Sequence, residues 1–360
     1  MEVAVLGGGH GCYATAADLS ERGHRVRFWR RDEASFAPVL DSGGVMLRDH
    51  QGVREVKIAM PTLSLTEAIK SADVIIIPLP ATTHESLAEA IAPHLEDGQV
   101  IFLPPGTFGS YLFLKAMRAA GNDANVSFAE TGTLPYLARK HGGREIVISA
   151  YAKHLPTGVF PARNAGQAIA RLKALYCSVE GIEDCLSAAL MNAGPIIHPP
   201  LIMMNAGPLE HFARWDIHNE GTQASIRRVT DALDAERIAI RVALGYGAPH
   251  YPLADHYADD GPEWMYGRAS HDRLIASGDW RENIDLMRHR YMTEDTKLGL
   301  AFLASVGRWA GVATPLAEGF LAIASVITGQ DLYAQGRTLE ALGLADLDRN
   351  QMAVFLRQGL

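Results

Sequence analysis

Gly7-Gly8-Gly9-His10-Gly11-Cys12 lies between an apolar run, Val3-Ala4-Val5-Leu6, and an alanine-rich stretch from Tyr13 to Arg22. Read as strand, turn and helix, that order suits a phosphorylated anion. Gly7 permits a tight turn off the strand and Gly9 removes a Cβ from the path of the phosphates. The helix N-terminus then offers main-chain N–H groups and the positive end of its dipole. Gly23 closes the helix and a second strand, Val26 to Trp29, follows at once. A glycine turn in that strand-turn-helix-strand setting is one that holds a dinucleotide pyrophosphate, with His10, Gly11 and Cys12 completing it. Cys12 replaces the third glycine of the usual pattern; it is small enough to fit and able to be oxidised.

The second strand runs into Arg30-Arg31-Asp32, about twenty residues past the glycines, where an acidic residue would take the ribose hydroxyls of NAD. Arginine there favours a 2′-phosphate, which a guanidinium binds in bidentate fashion. Arg30 and Arg31 therefore point to NADP(H) before NAD(H), with Asp32 as the acidic alternative.

Hydride transfer needs a group to move the accompanying proton. No lysine occurs between Lys173 and Lys297, which counts against the lysine-dependent 3-hydroxyacid, 6-phosphogluconate, ketopantoate and glycerol-3-phosphate types. The other candidate is His198, in Asn192-Ala193-Gly194-Pro195-Ile196-Ile197-His198-Pro199-Pro200. An imidazole among apolar residues and prolines needs a distant partner. Arg288-His289-Arg290-Tyr291-Met292-Thr293-Glu294-Asp295 can supply a carboxylate for it and a cation for a substrate carboxylate. By itself that cluster reads as an exposed helix start, capped by Thr293.

These groups must be held by larger elements. The chain has 360 residues, 48% apolar and 21% charged, with a net charge of −8, and it is long enough for two domains. The charge and the lack of any basic run argue against nucleic acid or anionic membrane as partners. Three cysteines without metal spacing point to a reducing compartment and to no metal centre. Folding signals begin at the second residue, where a leader peptide would stand, so a cytoplasmic protein is expected. The most apolar stretch, Ala188 to Met204, is broken by Gly194, Pro195, His198, Pro199 and Pro200 and would span a membrane poorly.

Strand and helix signals alternate through the first half, the pattern of a parallel α/β sheet with helices on both faces. A strand pair near Val45 to Met60, a helix at Leu65 to Ser71, strands at Asp73 to Pro78, Gln99 to Leu103, Val126 to Glu130 and Glu145 to Tyr151, and a helix at Glu85 to Pro93 are expected. Ala81, Gly106 and Glu130 fall at strand ends, on the carboxyl edge where open α/β sheets bind ligands. Beyond about Ile182 the segments read as helical: Leu186 to Asn192, Leu201 to Asn205, Gly221 to Leu244, Asn283 to Arg288 and Asp295 to Ala310. With no flexible linker between the halves, the catalytic site is expected between two domains. The stretch Arg228 to Leu244 is either an internal core helix or a dimer face.

The chain resembles the opine dehydrogenases, the octopine/nopaline and N-(1-D-carboxylethyl)-L-norvaline dehydrogenase family, over nearly its whole length. The carrying strings are the glycine turn, Glu130-Thr131-Gly132-Thr133-Leu134-Pro135-Tyr136-Leu137-Ala138-Arg139, Ile197-His198-Pro199, Glu220-Gly221-Thr222, Asp234-Ala235-Glu236-Arg237, Arg290-Tyr291-Met292-Thr293-Glu294-Asp295 and Thr314-Pro315. The resemblance implies a Rossmann dinucleotide-binding domain over 1–180 and an all-helical domain over 181–360, like the C-terminal domain of 6-phosphogluconate dehydrogenase. It implies His198 as the acid/base, Asp295 as its orienting partner, Arg290 on the substrate carboxylate and Thr131 near a keto acid. It also implies a homodimer, and reductive condensation of a 2-keto acid with an amino acid through an imine.

Two departures stand out: Cys12, and Gly194 where a polar residue is expected one turn before the histidine. Reduction of a simple 2-keto acid, and a non-enzymatic NADPH-binding sensor, are the alternative readings. His250 and His256 near Asp255, Asp259 and Asp260 read as a surface loop, and His211, His218 and Glu220 fit no metal spacing either. His84 reads as a capping or packing residue, and Trp264 and Tyr266 as a wall over substrate or a loop anchor.

Overall fold

The computed structural model describes residues 1–268, 270–278 and 280–360. Twelve strands occur among them: β1 Glu2–Leu6, β2 Arg25–Trp29, β3 Gly44–Asp49, β4 Gly52–Lys57, β5 Met60–Thr62, β6 Val74–Ile76, β7 Val100–Leu103, β8 Ser127–Thr131, β9 Tyr136–His141, β10 Glu145–Tyr151, β11 Leu155–Phe160 and β12 Val179–Gly181. Eight form one sheet in the order β12-β11-β8-β7-β6-β1-β2-β5. From β7 through β5 its pairs are all parallel. Val3 to Leu6 and Val74 to Ile77 are fully buried, the apolar run expected of a strand covered on both faces.

The chain leaves β1 for β2 on one side and returns to β6 on the other. That reversal is the switch point at which a doubly wound sheet opens a crevice at its carboxyl edge, and the glycine turn leaves β1 there. Leu6 pairs with Trp29, so β1 and β2 end level, and Gly7 donates its N–H to the Trp29 carbonyl at 2.9 Å.

Glu145–Tyr151 does not complete this sheet. It pairs instead in a separate four-stranded sheet of order β4-β3-β10-β9. Its burial alternates along the strand, as in a sheet with one covered face. The main sheet is completed by β11, antiparallel to β8, and by β12. Pro156 and Gly158 hid β11, being residue types that weaken a strand signal. Helix His10–Glu21 packs on both sheets. A hydrogen bond of 2.7 Å from Tyr136 Oη to Asp18 pins the small sheet to that helix.

Two compact units divide the chain, Met1–Ala189 with Val354–Leu360, and Leu190–Ala353. The chain end thus returns to the first unit, away from the boundary read at 180/181. Phe355 supplies the reason, packing 5.5 Å from Tyr111 and 5.1 Å from Phe160, ring centre to ring centre.

The second unit is helical: Gly194–Met204, Ala206–His211, Ala224–Ala243, Ser270–Ser277, Tyr291–Leu300, Ala301–Ala310, Pro315–Thr328 and Leu339–Leu342. Residues 283–288 are not helical; Asp285 accepts the Met287 N–H at 2.9 Å and holds a turn there. Helix Ala224–Ala243 is an internal core helix, burying Ile226, Leu233, Arg237, Ile240 and Arg241 along one face. The string Asp234 to Arg237 is a brace. Arg237 bridges Asp234 at 2.6 Å and donates to the carbonyls of Leu190 and His250, while Asp234 accepts from Leu253 N. Glu236 takes the N–H groups of Leu316 and Ala317, at the start of Pro315–Thr328.

Candidate active site

Helix Tyr291–Leu300 is a wide, π-type helix whose backbone starts after Arg290. Thr293 does not cap it; its hydroxyl turns back to the His289 carbonyl. Such wide turns cluster at functional positions because they re-aim side chains. This helix crosses Gly194–Met204 in close contact at two points, Gly194 against Asp295 and Gly299 against Pro195. Through that crossing His198 and Asp295, 97 residues apart in the chain, come within 2.8 Å, Nδ1 to Oδ2.

The pair is nearly dry, with side-chain exposures of 13% for His198 and 6% for Asp295. Burial pushes the Asp295 carboxyl up, and the charges of Arg290 and His289 pull it back part of the way. A carboxylate on Nδ1 assigns the proton to that nitrogen and leaves Nε2 as the basic one. The imidazole is further fixed by Tyr291, whose ring stacks on it at 3.8 Å and 16°, and by His218, edge-on at 5.9 Å. Arg290 stands beside them with its side chain 48% exposed. Its guanidinium lies 3.4 Å from Glu294 and 5.1 Å from the Tyr291 ring centre. An anchored but accessible guanidinium can take a substrate carboxylate.

In the first unit, helix His10–Glu21 starts at Gly9 without a side-chain cap and without an acidic residue in its first turn. Gly7 has φ +116°, a conformation that side chains rarely adopt, and a Cβ on Gly9 would meet only open space. These are the features an anion at a helix N-terminus requires, so the chain fits a dinucleotide pyrophosphate here. Arg30 lies folded over Gly8, donating to Tyr13 Oη and to the Ser35 carbonyl, whereas Arg31 is exposed. His10 Nδ1 accepts the main-chain N–H of Lys140 at 2.8 Å.

Cys12 is fully buried, its Sγ directed at the carbonyls of Leu6 and Pro78, and burial pushes the thiol up to about 12. It serves the turn as a packing residue, and ready oxidation does not apply to a thiol so placed. Ala81 is buried at the first position of a short turn after β6, and Gly106 abuts Glu130 in the loop after β7. The Glu130 carboxylate accepts from Phe108 N at 2.7 Å, from Ser110 N at 3.3 Å and from the Ser110 hydroxyl. It thereby braces Thr107 and Phe108, both in left-handed conformation, ahead of helix Gly109–Ala119. Thr131 is buried and its hydroxyl donates to the Pro156 carbonyl at 2.7 Å.

Sequence reasoning missed Tyr291 as the stacking partner of His198, although the residue lies inside a quoted string. It noted Gly194 only as a departure, whereas a side chain there would collide with the Asp295 carboxylate. His256, expected on a surface loop, is buried against Trp264, Tyr257 and His271. Trp264 anchors a loop, donating to the Tyr251 carbonyl at 3.1 Å. His84 is buried at the head of its helix, against Phe113.

A doubly wound dinucleotide-binding unit followed by a helical unit is the build of a nicotinamide-dependent oxidoreductase. Residues 181–328 match the family model of the NAD/NADP octopine/nopaline dehydrogenase alpha-helical domain, and residues 3–127 match that of ketopantoate reductase PanE/ApbA. The opine dehydrogenase of Arthrobacter sp. (strain 1C) is 29% identical over 350 residues, covering 96% of this chain and 95% of the relative. Among solved structures, octopine dehydrogenase with NADH and L-arginine superposes with a TM-score of 0.71 at 20% identity, covering 99% of this chain and 98% of that one. Yersinopine dehydrogenase with NADP+ bound gives 0.65 at 15%, covering 99% and 98%. The chain is thus similar to the opine dehydrogenases over nearly its whole length, and it is an NAD(P)-dependent oxidoreductase of the type that acts on CH–NH bonds.

Proposed function

We propose that this protein condenses a 2-keto acid with an amino acid and reduces the resulting imine to a secondary amine, with NADPH preferred and NADH usable. The carrying observation is the His198 Nδ1 to Asp295 Oδ2 contact of 2.8 Å. The bound nicotinamide supplies the hydride. Asp295 holds the imidazole in one tautomer and stabilises its protonated form, and His198 Nε2 moves the proton that reduction requires. Arg290 pairs with a substrate carboxylate in bidentate fashion. Thr131 is assigned to the keto acid by resemblance, with its hydroxyl oxygen still able to accept a hydrogen bond. Arg30, with Arg31 beside it, supports the choice of NADPH, because a guanidinium at the end of β2 meets a 2′-phosphate where a carboxylate would repel it. Relatives point the same way as to substrate class, one structure carrying L-arginine and another pyruvate.

The test is NADPH oxidation with pyruvate, with and without mixed amino acids, for the wild type and His198→Ala. Turnover that requires the amine, and that His198→Ala abolishes while NADPH still binds, is the expected result. Turnover with pyruvate alone would convert the reading to a simple keto-acid reductase, and turnover retained by His198→Ala would remove the histidine from it.

A further inference from the structure

Around the glycine turn the four-stranded sheet contributes a cation that the β1-β2 unit does not contain. Lys140, in β9, gives its main-chain N–H to His10 Nδ1, which holds β9 against the first turn of helix His10–Glu21. Its ammonium lies 4.3 Å from the centre of the Tyr13 ring. On the same residue, Tyr13 Oη accepts from Arg30 Nη1 at 3.4 Å and donates to the Gly143 carbonyl at 3.2 Å. Arg30 in turn lies on Gly8, where a Cβ would stand 2.7 Å from its Cζ. Two partly buried cations thus meet around one aromatic ring, beside the turn assigned to the cofactor's phosphates.

The charges are not compensated from within. Neither Arg30 nor Lys140 forms an ion pair with a carboxylate among the described residues. Asp32 feels the Arg30 charge but is exposed and accepts the Ser35 hydroxyl. Burial, and then the Arg30 charge, lower the Lys140 ammonium below its ordinary range. Like charges held together in this way are relieved by an anion between them. A ribose phosphate carries close to two negative charges at neutral pH.

We infer that Lys140 and Arg30 together seat the 2′-phosphate of the cofactor, so that discrimination between NADPH and NADH is shared between β2 and the four-stranded sheet. This rests on the NADPH reading above. A point charge on a flexible stem complements the planar fork of Arg30, reaching a phosphate oxygen that one guanidinium leaves free.

The experiment measures dissociation constants of NADPH and NADH by quenching of protein fluorescence, for the wild type, Lys140→Met, Lys140→Gln and Lys140→Arg, with thermal unfolding as a folding control. The wild-type preference judges the NADPH reading, and its change on substitution judges Lys140. Expected are a wild type that prefers NADPH, a loss of NADPH affinity of about tenfold in Lys140→Met and Lys140→Gln, NADH affinity within about twofold, and recovery in Lys140→Arg. A wild type with no NADPH preference overturns both statements. Equal losses for NADPH and NADH, or no loss for either, overturn the role of Lys140 and leave the NADPH reading in place.

Discussion

Gly194 lies against the carboxylate of Asp295 so closely that any side chain at position 194 would occupy the space of Oδ1. The same carboxylate orients His198 through its other oxygen. A glycine at the head of a helix is thus what lets the two partners meet, and it accounts for the absence of a polar residue one turn before the histidine.

Gly194→Ala should therefore act on catalysis first. Displacing Asp295 by about an ångström is expected to lower kcat roughly 10- to 100-fold. NADPH affinity should stay at the wild-type value. Steady-state kinetics together with a cofactor titration decide it, and an unchanged kcat would show that Asp295 does not set the position of His198.

Asp295→Asn keeps the shape of the pair but presents the imidazole with a group that can also donate. The expectation is a fall in kcat of about 10³- to 10⁴-fold, with a fold of normal stability. A variant that retains more than about a tenth of wild-type kcat would contradict the orienting role.

Arg290→Lys retains the charge and loses the fork. Because the side chain is half exposed and, among the described residues, is anchored by Glu294 and the Tyr291 ring, the protein should fold normally. The loss should fall on kcat/KM for the keto acid, about 10- to 100-fold, with NADPH binding unaffected. Equal kinetics for Lys and Arg at this position would argue against bidentate binding.

Acid stability offers a test outside the active site. Burial lowers His256 to about 3 and moves His271 in the same direction. Both folded values lie below that of a free imidazole, about 6.5, so the unfolded chain takes up protons first as pH falls. Stability from these groups is present above about pH 6.5 and is lost on acidification toward pH 3, by about 1.4 kcal/mol per pH unit for each proton. His256→Gln should flatten the dependence of the urea midpoint on pH between 6.5 and 4, whatever it does to the midpoint at neutral pH. A slope equal to that of the wild type would falsify the assignment.

Thiol labelling separates the cysteines. Cys177 is exposed, whereas Cys12 and Cys185 are buried. Burial raises both of the latter thiols, so one equivalent of reagent should react with the native protein, and Cys177→Ser should abolish it. Native reaction at Cys12 would show that the glycine turn opens in solution.

Local pattern carried much of this protein. The glycine turn, the apolar strands β1 and β6 and the amphipathic helix Ala224–Ala243 are legible because residues close in the chain set their geometry: a turn that needs glycine, a period of two, a period of 3.6. His198 and the charged cluster of residues 288–295 were also readable, as residue types able to move a proton and bind a carboxylate, while the family resemblance singled out Arg290 and Asp295 within that cluster. The pairing of strands was not. Glu145–Tyr151 is expected in the main sheet but pairs in the small one, and the place beside β8 is taken by Leu155–Phe160, which carries no clear strand signal, because a strand's partner depends on which face the whole unit covers. Tertiary structure alone set the stack of Tyr291 on His198, the fit of Gly194 to Asp295 and the meeting of Lys140 with Arg30 around Tyr13. Each joins residues from separate elements, and such distances follow from how helices and sheets pack, which no window along the chain contains.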